Sequence, residues 1–82
     1  MVTELKQKTK SIISEILPNI EVTEIDDHID IFNLGLDSIN VMTLISHLQE
    51  AFDFKLEIHE LNFENFQTVS TIVEMVQKKK NG

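Results

Sequence analysis

The side chains of this 82-residue chain that could do chemistry are three histidines, fourteen carboxylates and one well-placed serine. The serine is Ser38, inside the knot Gly35-Leu36-Asp37-Ser38-Ile39, where a loop gives way to a helical pattern. A hydrolytic serine needs a base, an oxyanion hole and a cleft. The α/β-hydrolase elbow G-x-S-x-G is absent, because Ser38 is followed by Ile39-Asn40 and no strand precedes it. The candidate bases are His28, His47 and His59. His47 lies nine residues further along the same helical pattern, about 13 Å up the axis, out of reach of Ser38. Nothing here assembles a catalyst, and no residue is assigned a catalytic role.

Metal chemistry is the second possibility. The stretch "DDHID" offers Asp26, Asp27, His28 and Asp30. Laid on a calcium loop starting at Asp26, the turn position that requires glycine holds Ile31, and the closing glutamate is replaced by Asp37. A transition-metal site needs two or more histidines within reach, and His28 stands alone. No metal is expected; the stretch reads as a solvated acidic loop. The chain has no cysteine, which excludes disulfides and thiolate metal sites and agrees with a cytoplasmic setting.

The elements that must position Ser38 follow from periodicity. Leu5, Ile12, Ile13, Ile16 and Leu17 form a helical stripe, with Thr9 on the same side. Thr3 is a plausible N-cap, and Pro18 ends this helix near residue 16. Residues 18–36 show no sustained period. A connection of that length is unusual in a compact domain, where about 4–6 residues is ordinary. It carries Ile20, Val22, Ile25, Ile29, Ile31, Phe32, Leu34 and Leu36, which can pin it across a helical core, with a short helical turn at 24–28. Residues 38–52 give the clearest helix, with Val41, Leu44, Ile45, Leu48 and Phe52 on one face. Asp37 or Ser38 caps its start, and Asp37 places a negative charge at the positive end of the dipole, a contribution of about 0.3–1 kcal/mol. Leu56 and Ile58 alternate with polar residues, but no second alternating run exists to pair with them; a loop and a short helix near 59–64 fit better. Thr68 caps a last helix with Val69, Ile72, Val73 and Val76 inward and Lys78–Lys80 at its C-terminal end, closed by Asn81-Gly82. The expected architecture is all-α: a small four-helix bundle of three main helices plus one short helix, with a long loop after the first. Residues 1–82 are expected to form a single domain.

Charge narrows the partners. The net charge is −7, every basic residue is a lysine, and six of the seven lysines lie near the two ends. Residues 11–77 hold thirteen acids against Lys55 alone, a net of −12. Such a body repels nucleic acids and anionic membranes and attracts basic protein surfaces. No apolar run approaches the ~20 residues of a membrane-spanning helix, and the charged start, MVTELKQKTK, does not resemble a signal peptide.

The stretch "GLDSI", followed by "VMTLISHLQEAFDFKLE", resembles the attachment motif and second helix of acyl and peptidyl carrier proteins. The resemblance covers nearly the whole chain. It implies that Ser38 is esterified to 4′-phosphopantetheine, derived from coenzyme A, by a separate phosphopantetheinyl transferase. The arm's thiol then holds an acyl or aminoacyl group as a thioester. Asp37 and Ile39, flanking the serine, would present it to the transferase. A serine modified by another enzyme must be exposed and needs no base of its own. A helix N-terminus also suits the resulting phosphodiester. Opposite the core face of the same helix lie Ile39, Met42, Thr43, Ser46 and Glu50, expected to meet partners: the transferase, and acyl or aminoacyl ligases or synthases with basic docking surfaces. The protein is expected to be a monomeric, discrete carrier and not an enzyme. Glu50 is the only acid within residues 39–52, unlike fatty-acid carriers, and "LNFENFQTV" (61–69) is more similar to carriers of specialised pathways of polyketide or nonribosomal type, with fatty-acid synthesis the other pathway the resemblance allows. The rival reading is an acidic helical adaptor that binds a basic partner without any covalent group.

Overall fold

The computed structural model describes residues 2–17 and 19–81, and among them it contains three α-helices and no strand: α1 (Val2–Ile16), α2 (Ser38–Phe52) and α3 (Val69–Asn81). Pro18, expected to stop α1, and Gly82, expected to close α3, lie outside the described residues. Helix α1 packs on both α2 and α3. The stripes read from the sequence face inward. Ile12, Ile13 and Leu17 meet Val41, Leu44, Ile45, Leu48 and Phe52 of α2 and Val69, Ile72, Val73 and Val76 of α3. Met75 joins them, a contact the α3 stripe did not include. Among the described residues Thr9 is the one polar residue buried in this core, and its Oγ1 donates to the Leu5 carbonyl at 2.7 Å, so the hydroxyl carries no unpaired cost.

Two boundary expectations need correction. Thr3 lies within α1, which already starts at Val2, so it is not the N-cap. The turn expected at 24–28 is found as two: a 3-10 turn at Val22–Glu24, closed by reciprocal bonds between Glu21 and Glu24, and a single turn in which Ile29 N–H donates to the Asp26 carbonyl at 3.4 Å. The short fourth helix is realised as two 3-10 turns, Ile58–Glu60 and Phe63–Phe66. One turn each is all these segments support, because Asn62 caps the second turn and takes the chain out of the first.

The long loop is ordered by its apolar residues, as its composition predicts. Ile25, Ile31 and Leu36 are buried, and Ile20, Ile29, Phe32 and Leu34 pack against the core. Polar ties then fix its register. Asp27 receives Lys6 Nζ and Lys10 Nζ, each at 2.9 Å, and its carbonyl accepts from Ser70 N–H at 3.0 Å. The hydrogen bond from Lys6, reinforced by Lys10, lowers the Asp27 carboxyl to a pKa of about 2. Closer to α2, Ile31 N–H donates to the Gln67 carbonyl at 2.8 Å. The segments preceding α2 and α3 are therefore stitched side by side. On the far side, Glu60 accepts from Glu57 N–H and pairs with Lys79, which together hold its carboxyl below the ordinary value.

Candidate functional site

Everything that presents Ser38 is set within a few residues. Asp30 caps a 3-10 turn, Ile31–Leu34, and Gly35 ends it at φ 116°. A Cβ at Gly35 would meet nothing within 4 Å, so glycine is needed there for its backbone angle and not for space. Leu36 then drops into the core, and the chain turns outward at Asp37. Asp37, in extended conformation, is the N-cap: its Oδ1 accepts from Ile39 N–H at 3.0 Å and Asn40 N–H at 2.8 Å, while its carbonyl accepts from Val41 N–H. Ser38 is thus the first helical residue and not the cap. Its side chain is exposed, and among the described residues its hydroxyl makes no hydrogen bond. One carboxylate already satisfies the free N–H groups of the second and third helical positions, and the serine hydroxyl takes no part in the cap.

No base accompanies it. His47 stands two and a half turns up α2, half-buried, and His28 and His59 lie exposed on other segments. Among the described residues, no group of three or more His, Cys, Asp and Glu side chains could hold a metal ion; Asp27 of the "DDHID" stretch is engaged by its two lysines.

The outward face of α2 carries Ile39 at 77% and Met42 at 53% exposure, with Thr43, Ser46 and Glu50 also exposed along the same side. Charge is distributed along this helix. Asp37 and Glu64 lie close to Ser38. At the other end, roughly 20 Å away along the axis, Lys80 Nζ donates to the Phe52 carbonyl at 2.8 Å and Lys8 sits over the Phe52 ring. Lysines from α1 and α3 thus close the negative end of α2, leaving the Ser38 end acidic.

One feature was not legible in the sequence. A cleft of about 340 Å³ opens beside Ser38, lined by Phe32, Phe63, Glu64, Gln67 and Ser38 itself. Phe32 and Phe63 meet edge to face with centroids 5.8 Å apart. The only sequence signal was an unspent Phe63 in a segment where Phe66 alone supplies the core contact.

An exposed serine hydroxyl, without a hydrogen bond among the described residues, at the head of a capped helix in an acidic three-helix bundle is the arrangement that the resemblance to carrier proteins implies. Comparison with known proteins agrees. The family model described as phosphopantetheine attachment site matches residues 7–76. An acyl carrier protein of Borreliella burgdorferi is 36% identical over 77 residues, covering 94% of each chain. A D-alanyl carrier protein of Streptococcus uberis is 39% identical over 62 residues, covering 74% of this chain and 77% of that one. The solution structure of a holo acyl carrier protein from Nitrosomonas europaea superposes with a TM-score of 0.82 over 94% of this chain and 96% of that one; at 22% identity it speaks for the fold. The chain belongs to the phosphopantetheine-attachment family of carrier proteins. It is a carrier and not a catalyst, its prosthetic group is covalently attached 4′-phosphopantetheine, and it works by meeting transferase and synthase enzymes. Family membership thereby decides against the adaptor reading. No helix among the described residues is long and apolar enough to cross a membrane.

Proposed function

We propose that residues 1–82 act as one carrier domain whose prosthetic group is esterified to Ser38. The observation that carries this reading is the exposed Ser38 hydroxyl, free of internal hydrogen bonds, at the first position of a 15-residue helix. In the loading step, carried out by a separate transferase, the Ser38 oxygen forms a bond to the β-phosphorus of coenzyme A. The phosphoanhydride bond breaks, adenosine 3′,5′-bisphosphate leaves, and the hydroxyl proton passes to the transferase's base. The residues here fit the product. The Ser38 N–H and the helix dipole favour a phosphodiester at this place, and the serine is exposed. When attached, the group supplies a terminal thiol that holds an acyl or aminoacyl unit as a thioester.

Asp37 fixes the direction in which Ser38 is offered, through its two bonds to the first turn. Ile39 and Met42 give partners an apolar contact beside the serine, and Thr43, Ser46 and Glu50 continue that face. Partners are the phosphopantetheinyl transferase and acyl or aminoacyl ligases or synthases with basic docking surfaces, met by a monomer in the cytosol. The acidity of the Ser38 end supports an approach in which a basic surface meets this end first. For cargo, the sparse acids on α2 and the likeness to a D-alanyl carrier protein support a specialised pathway, with an amino acid or unusual acyl unit as the load.

The test is intact-mass spectrometry after incubation with coenzyme A and a broad-range transferase. The protein gains one phosphopantetheine and Ser38→Ala gains none. Loading of Ser38→Ala would refute the assignment. The variant should fold normally, since the cap belongs to Asp37.

A further inference from the structure

We propose that Met42 is a redox-sensitive modification site: a hydroperoxide that oxidises its thioether to the sulfoxide lowers recognition of this carrier by the transferase that loads Ser38. The proposal rests on attachment at Ser38 and on the docking role given to Met42.

The sequence confines such chemistry to methionine. The chain has no Cys, Trp or Tyr, and three Met. Met75 is 9% exposed and belongs to the core, whereas Met42 is 53% exposed on the outward face of α2. Met1 lies outside the described residues. A thioether is oxidised where its sulfur can be reached, so among the described residues an oxidant in water meets Met42 and is kept from Met75. In the step itself, a lone pair on Met42 Sδ attacks the outer oxygen of the hydroperoxide. A sulfur–oxygen bond forms and the oxygen–oxygen bond breaks. The proton of the attacked oxygen passes to the departing one. Sulfur is oxidised to the sulfoxide, and the peroxide is reduced to an alcohol, or to water where it is hydrogen peroxide.

Its place on the helix gives the change a consequence. Met42 follows Ser38 by four residues, one turn along the same face, which sets their Cβ atoms about 5–6 Å apart. An enzyme that closes over the Ser38 oxygen therefore covers this side chain as well. As a thioether, Met42 extends the apolar contact begun by exposed Ile39 and adapts to the surface laid on it. As a sulfoxide it carries a polar oxygen that must be dehydrated or paired when the partner closes. The fold is spared, because the inward face of α2 is made by Val41, Leu44, Ile45, Leu48 and Phe52. Recognition is weakened without unfolding, and sulfoxide reductases can restore the thioether, so the device is reversible.

The experiment treats the unmodified protein with hydrogen peroxide and then measures both the oxidation and the loading. Cleavage after lysine puts the three methionines on separate peptides, residues 1–6, 11–55 and 56–78. The expected result is one added oxygen on the 11–55 peptide of the folded protein, with the 56–78 peptide oxidised only in unfolding urea. The transferase's KM for the oxidised carrier rises several-fold, its kcat and the thermal melting of the carrier stay as they were, and treatment with methionine sulfoxide reductases restores KM. In Met42→Leu, peroxide leaves the KM of that variant unmoved. Oxidation of the 56–78 peptide as fast as the 11–55 peptide in the folded protein would overturn the selective site. A sulfoxide at Met42 with unaltered KM, or a peroxide-driven rise in KM that Met42→Leu shares, would overturn its role in recognition. Failure of the untreated protein to gain phosphopantetheine would overturn attachment itself, and that outcome is seen before any peroxide is added.

Discussion

Replacing Asp27 with asparagine should show how the long loop is fastened. The substitution keeps the shape of the side chain and removes its charge, which faces Lys6 Nζ and Lys10 Nζ at 2.9 Å each. The carboxyl ionises near 2 instead of its ordinary 3.8, chiefly through the hydrogen bond from Lys6. At about 1.36 kcal/mol per pKa unit the displacement has a ceiling of roughly 2.4 kcal/mol. Asp27 keeps 27% of its side-chain exposure, and pairs so open to solvent contribute about 0.2–1 kcal/mol each. Two pairs on one carboxylate therefore give about 1–2 kcal/mol for Asp27→Asn at neutral pH, or roughly 4–8 °C in Tm for each kcal/mol. The sign of the pH effect follows from the lowered pKa. Between about 2 and 3.8 the unfolded chain holds the proton more readily than the folded one, so stability rises with pH through that window. The contribution is complete above about pH 4 and is lost as pH falls through 2, where a protonated Asp27 and the asparagine of the variant become near equivalents. Urea unfolding followed by far-UV circular dichroism is the appropriate assay, since the chain has neither Trp nor Tyr to report by fluorescence. Comparing the two proteins at each pH cancels the other carboxylates. Added salt should narrow the gap at pH 7, because the screening length falls from about 10 Å at 0.1 M to about 3 Å at 1 M. A gap as large at pH 2 as at pH 7, or one indifferent to salt, would refute the electrostatic account of this fastening.

Two further predictions concern α2. Asp37→Ala removes the acceptor of the Ile39 and Asn40 N–H groups and the favourable charge at the helix start; thermal denaturation should show a loss of about 1–2 kcal/mol, and an unchanged Tm would mean the cap is idle. Ile39→Ser combined with Met42→Ser, both at exposed positions, should leave stability within about 0.5 kcal/mol while raising the KM of the transferase for this carrier several-fold; unaltered transferase kinetics would remove these two residues from the docking face.

What the sequence made legible, and what it hid, divide along a physical line. Helix α2 was readable to its boundaries because five apolar residues recur at helical spacing and Asp37 and Gly35 mark its start, all within one continuous stretch. The Thr68 cap was readable for the same reason: Thr68 Oγ1 accepts from Thr71 N–H, three residues away. The segment 53–66 was harder because its cues conflict locally. Leu56 alternates like a strand residue, yet its N–H is taken by the Gln49 side chain and Asp53 turns back in a left-handed cap. The cleft was hidden but for the unspent Phe63. Phe32 and Phe63 are far apart along the chain and become neighbours only through the Ile31–Gln67 bond and the burial of Phe66. A motif read along the chain reveals where an arm can be attached, because attachment needs only one hydroxyl and its cap. The cleft beside that hydroxyl depends on two loops meeting, and that is decided by tertiary pairing. The proposed attachment point, Ser38, is set by short-range bonds at the start of α2, whereas the cleft beside it is assembled from two connections far apart along the chain.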